Sequence, residues 1–98
     1  MGKVRWTQEA ESWLLEIHNY IARDNPAAAF RTVQGIYKKA EVLEDFPEIG
    51  YVYRRHGTRQ VRILLYGHYR IAYVAKPDGD IDILGVFHGA LDIDRYLA

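Results

Sequence analysis

The apolar residues of this chain change their spacing once, near residue 50, and that switch limits what the chain can fold into. Before it, they recur every three or four positions: Ala10, Trp13 or Leu14, Ile17 and Ile21 in one run, then Ala29, Val33, Ile36, Ala40 and Leu43. That is the period of an amphipathic helix. After it, residues 60–65, 69–75 and 81–87 are rich in β-branched and aromatic side chains and are separated by turn residues, the pattern of strands. The punctuation agrees with the periods. Thr7 is placed to cap the first helix, and Glu9 and Glu11 fall in its first turn, where the helix dipole favours anions. That helix runs to about Arg23. Asn25 caps the second, and Pro26 fits its first position, where no amide donor is needed. Pro47 and Gly50 end it after about Asp45.

Gly67-His68 and Pro77-Asp78-Gly79 are short connections, so the strands they join are antiparallel neighbours. The expected fold is α+β: an N-terminal helical hairpin packed on one face of a twisted antiparallel sheet of three to four strands. Residues 3–6 form a short strand at an edge, and residues 91–97 form a short helix or an extended arm. No repeat or linker divides the chain, so residues 1–98 read as one domain. A five-residue second loop gathers Arg70, Ala72, Val74, Leu84, Val86 and His88 on the face away from the helices, with Ile81, Ile83 and Phe87 on the other. Arg62 joins Arg70 across a three-residue first turn and is separated from it across a two-residue one. A slip of one residue reverses every side chain.

Charge is segregated along the chain. Thirteen Lys and Arg balance thirteen Asp and Glu, yet residues 49–77 carry Arg54, Arg55, Arg59, Arg62, Arg70 and Lys76 and no carboxylate. Such a segment suits a polyanionic or carboxylate-rich partner. There is no cysteine, so disulfides and thiolate metal sites are excluded. No apolar run approaches the roughly 20 residues that span a bilayer. The polar start, Met1-Gly2-Lys3-Val4-Arg5-Trp6, is unlike a signal peptide. These features fit a cytoplasmic domain that needs neither cofactor nor metal. His56, His68 and His88 lack the spacing of a ligand set.

Five stretches taken together resemble the RelE/ParE superfamily of bacterial toxins. They are Trp6-Thr7 with Ala10; Tyr20-Ile21-Ala22-Arg23-Asp24-Asn25-Pro26-Ala27-Ala28-Ala29; Phe46-Pro47 with Gly50; Tyr69-Arg70-Ile71 with Tyr73; and Val86-Phe87-His88-Gly89 with Asp92. The resemblance implies a growth-inhibiting toxin, a small antitoxin partner and a higher-order toxin–antitoxin complex. It also implies one of two targets. RelE-type members cleave mRNA on the ribosome. Here Arg70 would hold the scissile phosphate, His88 would move a proton, and Tyr96 would stack on a base or assist. The stretch without carboxylates, which also lacks lysine between Lys39 and Lys76, removes the usual source of a general base, and arginine cannot replace it. ParE-type members bind DNA gyrase and need no catalytic set. The segment His88-Gly89-Ala90-Leu91-Asp92 and the Asp24-Asn25-Pro26 junction resemble that branch. This reading places target binding on Arg59, Arg62, Arg70, His88, Asp92 and Arg95. It places antitoxin binding on an open apolar strip of Ala72, Val74, Leu84 and Val86.

Plainer roles compete for the same residues. Arg70 can pair with Asp82 across the sheet, and His88 can bond backbone at a strand end. Tyr66, Tyr69 and Tyr73 sit at strand spacing and suit packing, as do Trp6 and Trp13. Gly35, inside the second helix, can permit close helix contact. A third class is a non-toxic nucleic-acid-binding domain that uses the basic hairpin, which would bind with a steep dependence on salt.

Overall fold

Two side-chain caps start the helices. In the computed structural model, which describes residues 2–89 and 93–97 apart from the side chain of His56, Thr7 Oγ1 accepts from the Ala10 amide at 3.2 Å. It also donates to the Ile83 carbonyl at 2.7 Å, tying the start of helix α1 (Gln8–Ala22) to the sheet. Asn25 accepts from the Ala28 amide at 3.0 Å and, with Pro26 behind it, opens α2 (Pro26–Glu41). A 3₁₀ turn over Val42–Glu44 completes the second helical segment. Glu11 accepts the Tyr37 hydroxyl on both oxygens at 3.0 Å, which joins the two helices.

Five strands follow the order β1-β5-β4-β3-β2, with β1 at Val4–Trp6, β2 at Tyr51–His56, β3 at Arg59–Tyr66, β4 at Tyr69–Ala75 and β5 at Ile81–His88. The sheet therefore has one strand more than the sequence suggested, and it is mixed. β2 extends the meander, and β1 lies at the edge as expected but pairs with β5 in parallel. The Gly67-His68 turn is a two-residue loop, with Tyr66 opposite Tyr69 and Gly67 at a left-handed φ of 56°. The second loop has the expected five residues, since Ala75 faces Ile81.

Two apolar layers flank the sheet. On the helical side Leu14, Ile36, Ala40 and Leu43 meet Leu64, Ile71, Tyr73, Ile81, Ile83 and Val86. Burying a side chain of that size contributes about 1.5–3 kcal/mol. On the far side Val61, Ile63, Ala72, Val74 and Phe87 are closed over by Ile93, with Tyr53, Leu84 and Leu97 packed around them.

One irregularity decides which residues face which layer. Ala72 pairs with Gly85 and Tyr73 with Ile83, so Leu84 is an extra residue in β5. This bulge shifts the alternation by one. Val86 consequently packs into the helical layer and Phe87 into the far layer, the reverse of the sequence expectation. Gly85 makes the arrangement possible, because a Cβ there would lie 2.5 Å from the Phe87 ring. Gly35 also differs from expectation. Its missing side chain admits the Tyr66 phenol, 1.9 Å from where a Cβ would be, and not the neighbouring helix.

Candidate functional site

The six cations of residues 49–77 do not converge. The two-residue turn puts Arg62 opposite Tyr73 on the helical side and Arg70 opposite Phe87 on the far side. Arg62, largely buried, donates from Nη1 to the carbonyls of Glu48 at 3.1 Å and Gly50 at 2.7 Å. It fastens a loop of its own chain, as does Arg70, whose Nη2 donates to the Gly89 carbonyl at 2.7 Å. Asp82 pairs with Lys76 at 3.6 Å and sits opposite Val74, four positions along β4 from Arg70, so the register does not favour the Arg70–Asp82 pair. Arg54 meets Asp94 at 2.8 Å and donates to the Leu97 carbonyl, and Tyr53 also donates to Asp94. These bonds, Tyr53 first and Arg54 second, hold the Asp94 carboxyl below its ordinary range.

Arg59 is exposed at the tip of the β2–β3 hairpin. It lines a cleft of about 670 Å³ with Pro47, Glu48, Lys76 and Asp82. Arg95 is exposed on the short C-terminal 3₁₀ turn, and Asp92 lies outside the described residues. The expected target-binding set is thus spread over both faces and both ends of the sheet.

The expected antitoxin strip also requires correction. Ala72, Val74 and Leu84 do share the far face, but Ala72 is 0% and Val74 5% exposed. The segment carrying Ile93 and Leu97 covers them. Val86 belongs to the other face because of the bulge. The strip is interior, not an open surface.

The nuclease trio is divided as well. Arg70 and Tyr96 lie with the far layer, where Tyr96 stacks on Phe87 at 6.1 Å. His88 pairs with Tyr69 on the helical side and stacks on His68 at 6.2 Å. Arg70 and His88 thus leave their strands on opposite faces of the sheet.

The bulge creates something the sequence reading missed. Val86 and His88, turned toward α1, line a groove of about 510 Å³ with Trp13, Glu16, Ile17, Tyr20, Ile21 and Tyr69. β1 covers only residues 81–83 of β5, so beyond Ile83 the outer edge of β5 has no strand partner among the described residues. Trp13 reaches over that edge to Phe87 and Tyr96, each at 4.8 Å. The groove is mostly apolar, with one carboxylate and one imidazole on its rim. Tyr20, 72% exposed, stands at its mouth. A glycine within a strand, Gly85, was the signal in the sequence for the bulge and hence for the groove.

Comparison with known proteins places this geometry. Residues 4–93 match the family model for the ParE toxin of the type II toxin–antitoxin system, parDE. The chain belongs to the ParE toxin family. The ParE-family chain is also 36% identical over 86 residues to Y4kP, a toxin candidate of Sinorhizobium fredii (strain NBRC 101917 / NGR234). That similarity spans 88% of this chain and 86% of the relative. Among solved structures, a chain of the chromosomal ParDE system from P. aeruginosa shares the fold with a TM-score of 0.72 and 24% identity. The match covers 90% of this chain and 96% of that one. A chain of the toxin–antitoxin complex RelBE2 from Mycobacterium tuberculosis gives a TM-score of 0.58 at 22% identity, covering 89% and 96%. This ParE-family member has no helix, among the described residues, long and apolar enough to cross a membrane.

Proposed function

We propose that this ParE-family toxin acts as one domain that arrests growth by binding DNA gyrase, and that a cognate antitoxin neutralises it. The division of Arg70 and His88 between the two faces of the sheet carries the choice of gyrase over mRNA. RNA cleavage needs a phosphate-binding cation and proton-transfer groups that all reach one phosphate. Arg70, the cation that reading needs, is engaged with its own chain, as are Arg54 and Arg62. A binding toxin needs only a shaped, rigid surface.

The antitoxin site moves with the bulge. The groove between α1 and β5 takes the place of the covered strip, and an amphipathic antitoxin segment is its occupant. Both structural relatives come from toxin–antitoxin systems, one of them a complex, which supports such a partner. The groove offers an apolar floor and, alongside it, a strand edge with no strand partner among the described residues, the two features an extending segment exploits.

Controlled induction of the chain in bacteria, with and without its antitoxin, tests the reading. Growth arrest with accumulated gyrase–DNA cleavage complexes and intact mRNA is expected. Ribosome-dependent mRNA cleavage would favour the RelE-type reading, and salt-sensitive nucleic-acid binding without arrest would favour the third class.

A further inference from the structure

Helical spacing puts Ser12, Trp13 and Glu16 on one flank of α1, since positions three and four apart are neighbours on a helix surface. Trp13 meets the Tyr96 ring edge to face at 4.8 Å and 83°. Tyr96 is brought there by the C-terminal segment, which Tyr53 and Arg54 hold through Asp94. Ser12, Trp13, Glu16 and Tyr96 wall a pocket of about 410 Å³. Trp13 and Glu16 also line the groove between α1 and β5, so the pocket continues that groove toward the start of α1. Two features of the pocket select its occupant. Trp13 is half-buried and Tyr96 is 47% exposed, so aromatic surface stays in contact with water. Glu16 is exposed and has no hydrogen-bond or ion-pair partner among the described residues. An aromatic ring attracts a cation to its negative face, and a carboxylate adds direct charge pairing. Together they fit a guanidinium, which stacks on an aromatic ring and presents paired N–H groups to a carboxylate. A phosphate would meet the like charge of Glu16, and an apolar side chain would cover that carboxylate without pairing it.

We infer that this pocket receives an arginine side chain of the antitoxin, at the end of the segment that overlies Trp13, and that Glu16 pairs with its guanidinium. That occupant rests on the antitoxin reading of the groove given above. It gives the partner's segment a definite chemistry: apolar residues over Ile17, Tyr69 and Val86, then one arginine beyond Trp13. An antitoxin of another pair, with no cation at that point, leaves Glu16 covered and unpaired. The pocket therefore discriminates between antitoxins, whereas the apolar groove accepts many amphipathic segments.

The experiment uses the full chain and its cognate antitoxin, with Glu16→Gln, Glu16→Lys and Glu44→Lys as variants. Glu44 is exposed and lines neither cavity, so its reversal measures the general effect of charge. Both positions are exposed, and unchanged urea midpoints are expected to confirm the native fold. Antitoxin affinity, read by titration calorimetry, is expected to fall about tenfold in Glu16→Gln and about 100-fold in Glu16→Lys, and to stay within about threefold in Glu44→Lys. Changing the antitoxin's arginines to glutamate one at a time should find one that restores binding to Glu16→Lys and weakens binding to the wild type. Wild-type affinity in both Glu16 variants, equal losses in Glu16→Lys and Glu44→Lys, or the lack of a restoring arginine overturns the inference. Arginine amide is the second probe. Saturable binding of it by a chain whose antitoxin ignores Glu16 makes the pocket a small-cation site, which overturns the inference too. Tyr20→Glu alters the groove and not the pocket. Weaker binding there with no effect at Glu16 removes the arginine and keeps the groove. A restoring arginine with Tyr20→Glu silent keeps the arginine and removes the groove, and no effect at either position removes both.

Discussion

The phenol oxygen of Tyr73 accepts from the Gly50 amide at 2.9 Å, joining the centre of the sheet to the loop that enters its last edge strand. Tyr73 is 0% exposed, and burial raises its pKa, so the neutral hydroxyl persists. Tyr73→Phe leaves the Gly50 donor buried without this partner. We expect a loss of about 1–3 kcal/mol, measured by urea unfolding. Gly50→Ala puts a Cβ 2.7 Å from both the Ile63 carbonyl and the Tyr73 ring, and a similar loss of about 1–3 kcal/mol is expected from overpacking. Unchanged midpoints in both variants would contradict the loop's being fixed this way.

The second prediction concerns alkaline pH. Burial, and then the hydrogen bond to Glu11, push the Tyr37 phenol from 10.0 up to about 12. The folded state therefore favours the protonated phenol. Its contribution is complete below pH 10 and is lost as pH rises toward 12. Absorbance titration near 295 nm should show one tyrosine fewer ionising late in Tyr37→Phe than in the wild type. A late-titrating class unaffected by Tyr37→Phe would contradict the assignment.

At the acid end the signs reverse. Asp94 is held below its ordinary value of 3.8 by Tyr53 and Arg54, so its hold on the C-terminal segment is complete above that value. The hold is lost as pH falls through the lowered folded value. Trp13 touches Tyr96 in that segment, so its fluorescence reports the event. The signal should stay level from neutrality down to about pH 4 and change only below it. In Asp94→Asn the change should already be present at neutrality. A transition centred between pH 5 and 7 would contradict this account.

Tyr20→Glu tests the groove. The side chain is 72% exposed, so stability should hold within about 0.5 kcal/mol. A carboxylate at an apolar mouth beside Glu16 should weaken antitoxin binding by about 30-fold while growth arrest persists. Titration calorimetry with the antitoxin reads the first effect and an induction assay the second. Equal antitoxin affinity would remove the groove from consideration.

Much of the fold is legible in the residues because local chemistry and global packing agree there. Thr7, Asn25 and Pro26 begin helices as their side chains demand, and the stripes of Leu14 and Ile36 are buried as their spacing requires. β2 escapes because Tyr51-Val52-Tyr53 is short and is followed by Arg54-Arg55, which breaks the alternation that marks a strand. The site was harder to read for one reason. A period of two carries face assignments only while the register holds, and the extra Leu84 moves Val86, Phe87 and His88 to opposite faces. Nor do arginines on neighbouring strands form a patch, since the two-residue turn sends Arg62 of β3 and Arg70 of β4 to opposite sides and backbone carbonyls hold both.

The most direct measurement is a cleavage-complex assay with purified toxin, gyrase and supercoiled DNA, with translating ribosomes and mRNA run in parallel. Trapped gyrase–DNA complexes, abolished by added antitoxin, are the expected result, with the mRNA left whole. Free gyrase turnover together with cut mRNA would contradict the central claim.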